Sequence, residues 1–226
     1  MRVVHGTIPS GGIQIVENGT SFHVDVVEGQ KTGWFFDQRE NRAWVAQLAQ
    51  GGSLLDVFCH TGGFGVTAGR AGAANITFVD SSAPALHMVE KNALLNGIEK
   101  KCQVIAGKAF EALENLVSAR KKYDVVVLDP PAFIKSRKDT GAGLRGYMKL
   151  ARLAAPLVQK GGVLFFASCS SHAGVNELSD SVTEGLAKSG RPFQLVKISG
   201  AAPDHPVHPL LPETAYLKGL TFRFVE

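Results

Sequence analysis

The sequence has little of what marks several large protein classes. Three cysteines in 226 residues are too few for a disulfide scaffold. No apolar run approaches the roughly 20 residues of a bilayer span. Met1-Arg2-Val3-Val4-His5-Gly6 has no apolar core of the kind a signal peptide needs. Internal repeats and low-complexity tracts are missing as well. Charged residues make up only 19%, with a net charge of +4. That balance is compatible with a nucleic-acid partner and does not demand one. The expectation is a reduced, cytoplasmic protein with no membrane association. Hydrophobic residues, at 45%, are enough to bury a sizeable core. Glycine is in excess, 25 residues, or about 11% against a usual level of about 7%. That excess points to tight turns or close approach of backbone to a ligand.

Two short β-like runs, residues 13–17 and 22–27, flank Asn18-Gly19, a hairpin signal. A helical stretch then runs to about Gln50. After Gly51-Gly52 a regular alternation sets in. Strands are expected at 53–58, 75–79, 103–106, 123–128, 162–167, 193–198 and 220–225. Helices are expected at 66–70, 83–95, 110–119, 145–158 and 176–188, with Asn96-Gly97 closing the second. Strands apolar throughout, alternating with helices, predict an α/β fold with a mostly parallel seven-stranded sheet covered on both faces. Ligands on such sheets bind beyond the carboxyl ends of the strands, so the residues that follow each strand carry the functional reading.

The first strand runs into Asp56-Val57-Phe58-Cys59-His60-Thr61-Gly62-Gly63-Phe64-Gly65. The spacing is not the three-glycine dinucleotide fingerprint. No Lys-Ser or Lys-Thr follows the glycines, which excludes a phosphate-cradling P-loop. The second strand ends at Asp80-Ser81, where an acid can accept ribose hydroxyls or cap a helix. A Gly-rich turn paired with such an acid, and no phosphate cradle, suits S-adenosylmethionine better than a nicotinamide dinucleotide. The fourth strand ends at Asp129-Pro130-Pro131-Ala132-Phe133, a rigid extended exit able to present carbonyls and an aromatic to a flat substrate. The fifth ends at Ser168-Cys169-Ser170-Ser171-His172, which sets a thiol at the ligand edge. Cys59 and Cys102 read as small buried apolar residues.

Cys169 with His172, and His205 with His208, are the only metal-like spacings. Pro206 and Pro209 stiffen the second pair, and no metal is expected. The segment 134–145 carries Lys135, Arg137, Lys138 and Arg145 among glycines without apolar periodicity. It reads as a mobile loop that could contact phosphates. Lys100-Lys101 and Arg120-Lys121-Lys122 fall at the opposite strand ends and read as solubility charges.

Residues 29–42, 55–65, 125–133 and 166–172 together resemble the class I S-adenosylmethionine-dependent ribosomal RNA large-subunit methyltransferases of the 23S 5-methylcytosine type. So does the tail, with Asp204-His205-Pro206-Val207 and Pro212-Glu213-Thr214-Ala215-Tyr216-Leu217-Lys218. The likeness runs from about Gly19 to the C-terminus. It implies a Rossmann-like methyltransferase domain over residues 37–226 behind a hairpin extension over 1–36. It also implies that Asp56, Thr61, Gly62, Gly63, Phe64 and Gly65 hold the methionine part of the cofactor, while Asp80 and Ser81 hold its ribose. Gln38 and Arg39 would close the site, and Asp129 would contact cofactor and base. Pro130, Pro131 and Phe133 would face the target, and Cys169 would be the nucleophile. Ribosomal RNA is the implied partner, and a homodimer is one assembly to look for. Two departures stand out. Lys108 sits where the family usually has an acid that contacts the adenine amino group. The N-terminal RNA-binding module that relatives commonly carry is not seen, leaving RNA contact to the 135–145 segment, the hairpin or a partner.

The chemistry agrees with that assignment. Carbon 5 of cytosine is a poor nucleophile until a thiolate adds at carbon 6, and cysteine is nucleophilic near neutral pH. The base has to leave its stack to be reached, and Asp129 could then bind its N3 or amino edge. Three rival readings remain open: N-methylation of guanine or adenine, which needs no cysteine; a cofactor-binding fold with degraded catalysis; and a metal-binding structural protein.

Overall fold

The structure, a computed structural model, describes Gly6, residues 12–26 and residues 33–225. Val27 of the expected second strand and residues 29–32 of the resemblance lie outside the described residues. The described residues form nine strands and six α-helices in the order β1 (Ile13–Glu17), β2 (Thr20–Val24), α1 (Arg39–Leu48), β3 (Ser53–Val57), α2 (Gly63–Arg70), β4 (Asn75–Asp80), α3 (Ala83–Leu95), β5 (Cys102–Ala106), α4 (Ala109–Ser118), β6 (Tyr123–Leu128), α5 (Thr140–Ala154), β7 (Val158–Ser168), α6 (Val175–Ala187), β8 (Phe193–Ser199) and β9 (Lys218–Phe224).

β1 and β2 pair as an antiparallel hairpin, with Asn18 and Gly19 at positive φ in the turn. The other seven strands form one sheet in the order β5-β4-β3-β6-β7-β9-β8. β5, β4, β3, β6 and β7 run parallel, and β9 inserts antiparallel between β7 and β8. The expected mostly parallel seven-stranded sheet with a small hairpin is what is found.

Alternate residues of the central strands feed two cores. Leu55, Val57, Val126, Leu128, Leu164 and Phe166 face α4, α5 and α6. Leu54, Val125, Val127, Phe165 and Ala167 face α1, α2, α3 and the hairpin. This two-sided burial is why the strands read as unbroken apolar runs. Phe22 and Val24 of β2 are fully buried in the second core.

Three expectations need correcting. The helix placed at 145–158 runs from Thr140 to Ala154 and gives way to a 3-10 turn at Ala155–Leu157. Val158 already belongs to β7. Pro156 ends the helix, as its missing N–H requires. The early start has another cause. A Cβ on Gly143 would stand 2.3 Å from Ile134 Cγ1, and one on Gly146 would stand 3.0 Å from the Phe133 ring. These glycines let α5 pack tightly under the exit of β6; they do not loosen a loop. The expected mobile segment is therefore a short 3-10 turn at Arg137–Asp139 followed by the first turns of a helix. α2 also begins earlier than expected, at Gly63 instead of Val66.

Candidate active site

The carboxyl ends of β3, β4, β6 and β7 open on one cleft of about 620 Å³, at the point where chain order reverses between β3 and β6. Its volume lies in the range of small-molecule sites. Of the residues singled out in the sequence, Gln38, Thr61, Gly63, Phe64, Asp80, Ser81, Asp129, Pro130, Pro131 and Cys169 line it.

The turn after β3 is built from backbone. Phe58 and His60 adopt positive φ of 62° and 49°, and Gly62 has φ 86°, conformations that are costly for side-chain-bearing residues. Hydrogen bonds hold them there. Phe58 N and Cys59 N donate to Val79 O, and His60 N donates to Asp80 Oδ2 at 2.9 Å. Asp80 Oδ1 accepts from Ser82 N, and Ser82 in turn caps α3 by accepting from Ala85 N. Asp80 therefore braces the turn while lining the cleft. Asp56 lies beneath, 1% exposed. Its Oδ2 accepts from Gly65 N at 2.9 Å, and its Oδ1 has no partner among the described residues. Burial pushes this carboxyl up to about 7, against the pull of the Gly65 amide.

The hairpin secures this bank. Asn92 donates to Thr61 O at 3.0 Å and accepts from His23 N of β2 at 2.8 Å, tying turn to hairpin. Glu17, the last residue of β1, accepts from Arg42 Nε at 2.6 Å and from Trp34 Nε1 at 2.9 Å. Arg42 also donates to Phe35 O and stacks over the Trp34 ring at 4.3 Å. Trp34, Phe35 and Arg42 all line the cleft. Burial lowers the Arg42 pKa, and Glu17 opposes the fall.

The other bank is built from side chains. Gln38 Nε2 donates to Asp129 Oδ2 at 3.0 Å, while Gln38 Oε1 accepts from Asn41 at 2.7 Å. Tyr147, fully buried on α5, holds the exits of β6 and β7 together. Its hydroxyl accepts from Phe133 N (3.2 Å) and Ser168 Oγ (3.0 Å) and shares a 2.7 Å hydrogen bond with Ser170 Oγ. Cys169, partly buried, is held between those two serines and opens on the cleft.

Several expected site residues lie elsewhere. Arg39 pairs with Asp204 at 3.0 Å, outside the cleft lining. Gly62 sits behind the wall, where a Cβ would meet Val66, Phe78 and Val89. Phe133 turns from the cleft and stacks on Tyr147, centroids 4.8 Å apart. Lys135, Arg137, Lys138 and Arg145 are exposed and do not line the cleft. Lys108 occupies the N-cap position of α4, pairs with Glu111 at 3.7 Å and is not in the lining. Cys59 is buried, as expected, though it touches the cleft, and burial raises its thiol pKa well above the ordinary value. Sequence reasoning missed Asp37, Arg42, Met88 and Tyr147. Asp37 Oδ2 accepts from Tyr216 at 2.7 Å across 179 positions, a contact with no local signal.

The cleft is acidic. Among the described residues, Asp25, Asp37, Asp80 and Asp129 line it and Asp56 lies below, against Arg42 as the one Lys or Arg in the lining, already paired with Glu17. An acidic cleft without a phosphate cradle fits a ligand bearing ammonium and sulfonium charges and repels a pyrophosphate. Residues 5–223 match the model of the S-adenosylmethionine-dependent methyltransferase family. The chain belongs to that family. It is 38% identical over 222 residues to ribosomal RNA large subunit methyltransferase I of Shewanella denitrificans and of Aeromonas salmonicida, covering 98% of this chain and 56% of each relative. The chain thus spans little more than half the length of these curated methyltransferases. A crystal structure of a protein complexed with SAH superposes with a TM-score of 0.87 at 23% identity, over 97% of this chain and 58% of the other. At that identity the likeness speaks for the fold. No helix among the described residues is long and apolar enough to cross a membrane.

Proposed function

We propose that the chain methylates carbon 5 of a cytosine in ribosomal RNA through a covalent bond to Cys169. One observation carries the reading. A cysteine at the end of β7 shares an acidic cleft with Asp129-Pro130-Pro131 and the glycine turn of β3. A methyltransferase acting on an already nucleophilic nitrogen has no use for that thiol.

In this reading Asp80, Ser81 and the Thr61–Phe64 turn hold the methyl donor, and Asp56 braces that turn from beneath by accepting from the Gly65 amide. Bound S-adenosylmethionine supplies an electrophilic methyl carbon, which carbon 5 takes as the carbon–sulfur pair returns to the donor's sulfur. The Cys169 thiolate first gives its electron pair to carbon 6, which makes carbon 5 nucleophilic. Asp129, oriented by Gln38, accepts from the base's amino edge and resists its rotation. A base then removes the carbon-5 proton; that C–H pair re-forms the ring double bond, and the carbon–sulfur pair returns to Cys169. Pro130 and Pro131 hold the rim on which the base rests. Outside the acidic cleft, Lys135, Arg137, Lys138 and Arg145 supply positive charge for RNA phosphates, so opposite charges serve the two ligands. The inward stacking of Phe133 counts against N-methylation, because that ring is not available to stack on a purine in the cleft.

The test is methyl transfer from labelled S-adenosylmethionine to ribosomal RNA, with mass spectrometry of the nucleosides. Wild type is expected to yield 5-methylcytosine and Cys169→Ala to lose more than about 99% of it, the scale on which nucleophile removal acts. Cys169→Ala that still methylates would end the covalent reading.

A further inference from the structure

Lys218 is a buried cation that the reading above leaves without a role. It opens β9 opposite Ser168 and is 7% exposed. Its ammonium donates to the carbonyl of Ser170, the residue after Cys169. Burying an ammonium is costly, and a methionine would fill the same volume more cheaply. Burial lowers the Lys218 pKa, and the Cys169 sulfur and then Glu177 oppose that fall. Lys218 and Tyr216, on the β9 side, both lie within electrostatic reach of this sulfur; Glu177, at the start of α6, lies within reach of Lys218, and Asp37 and Asp129 line the same cleft as the sulfur. The carboxylates disfavour a thiolate. Tyr216 blunts one of them by donating its hydroxyl to Asp37. Lys218 is the group in this set that favours the anion.

We infer that Lys218 is a positioning residue for Cys169, its ammonium tethered to the Ser170 carbonyl so that the sulfur stands as a thiolate. The thiol proton passes to solvent and Lys218 keeps its own. The inference deepens the reading of Cys169 as nucleophile, yet its electrostatic content can be measured without RNA or methyl donor.

The experiment is alkylation of the full chain by iodoacetamide from pH 5 to 10, with peptide mapping of Cys169. The sulfur attacks carbon and iodide leaves, so the rate follows the thiolate fraction. Cys102, whose thiol is pushed up to about 11 by burial, is the internal control. Lys218→Met is expected to slow Cys169 at pH 7 by about tenfold, a midpoint moved up by about one pH unit, with Cys102 unchanged. Lys218→Arg is expected to keep the wild-type profile. A Lys218→Met profile that overlays wild type overturns the inference. Should Lys218→Met not fold, wild type decides: a Cys169 rate that rises only above about pH 8.5, as for a free thiol, overturns it equally. An active Cys169→Ala together with a shifted alkylation midpoint would sink the nucleophile reading and leave this inference standing.

Discussion

The two banks of the cleft are held by different means. On the β3–β4 bank the lining groups are carried on a main-chain turn, fixed by strained φ angles, by Asp80 and by the hairpin through Glu17 and Asn92. On the β6–β7 bank they are side chains, fixed by Tyr147, Gln38 and Lys218 from three separate parts of the chain. A cofactor that is the same in every turnover suits a backbone cradle, which point substitutions scarcely alter. A substrate that must be selected suits side chains, each replaceable alone. The difference also says where each bank breaks: the first through its buried charges, the second through its hydroxyl hub.

The largest expected effect strikes the first bank. Glu17→Gln leaves Arg42 buried without its counter-ion, and both side chains are under 5% exposed. Removing one partner of such a pair costs about 3–5 kcal/mol. Urea unfolding should show that loss, and adding Arg42→Met should recover much of it. A loss below about 1 kcal/mol in the single variant would mean that the hairpin is not holding this bank. Next comes Asp56. Its folded pKa, about 7, lies above the unfolded value, so the folded state holds the extra proton. The stabilisation is complete below about pH 4 and is lost as pH rises to about 7, at about 1.4 kcal/mol per pH unit between pH 5 and 7. Asp56→Asn should abolish that slope in unfolding measured at pH 5, 6, 7 and 8. A slope that survives the substitution would assign it to another group.

The second bank should yield less in stability and more in rate. Tyr147→Phe keeps the ring stacked on Phe133 but strips the hydroxyl that Ser168, Ser170 and the Phe133 amide share. Leaving those buried groups short of a partner costs about 1–3 kcal/mol. The exits of β6 and β7 then drift relative to one another, and a misplacement on that scale lowers kcat by about tenfold or more. Thermal unfolding and single-turnover methylation read the two effects. Unchanged turnover with lowered stability would reduce Tyr147 to a packing residue.

The contrast between banks also explains what the sequence made legible. The strand ends stood out because apolar runs stop at acids, glycines and prolines, so the rim of the cleft could be read residue by residue at Asp80, Asp129 and Cys169. The braces could not, since they join residues far apart in the chain: Glu17 with Arg42, Gln38 with Asp129 across 91 positions, Tyr216 with Asp37 across 179. Gly143 misled for a related reason. Inside a helix a glycine that makes room for a neighbouring segment looks, in one dimension, like one that breaks a loop.

The smallest expected effect concerns Lys108, whose place in the resemblance belongs to an acid that contacts adenine. It occupies the N-cap of α4 in extended backbone and makes no side-chain capping bond. Aspartate at such a position accepts from the amides of the first turn and suits the helix dipole, a gain of about 1 kcal/mol. The surface pair with Glu111 that is lost is worth only about 0.3–0.5 kcal/mol. Lys108→Asp should therefore raise Tm by about 1–3 °C, on the scale of about 2–4 °C per kcal/mol for a chain of this size. Lys108 is outside the cleft lining, so calorimetry should find S-adenosylhomocysteine affinity within about twofold of wild type. A tightening of about tenfold, the worth of one charge-assisted hydrogen bond, would instead extend the first bank to α4 and give it one side chain that reads the cofactor.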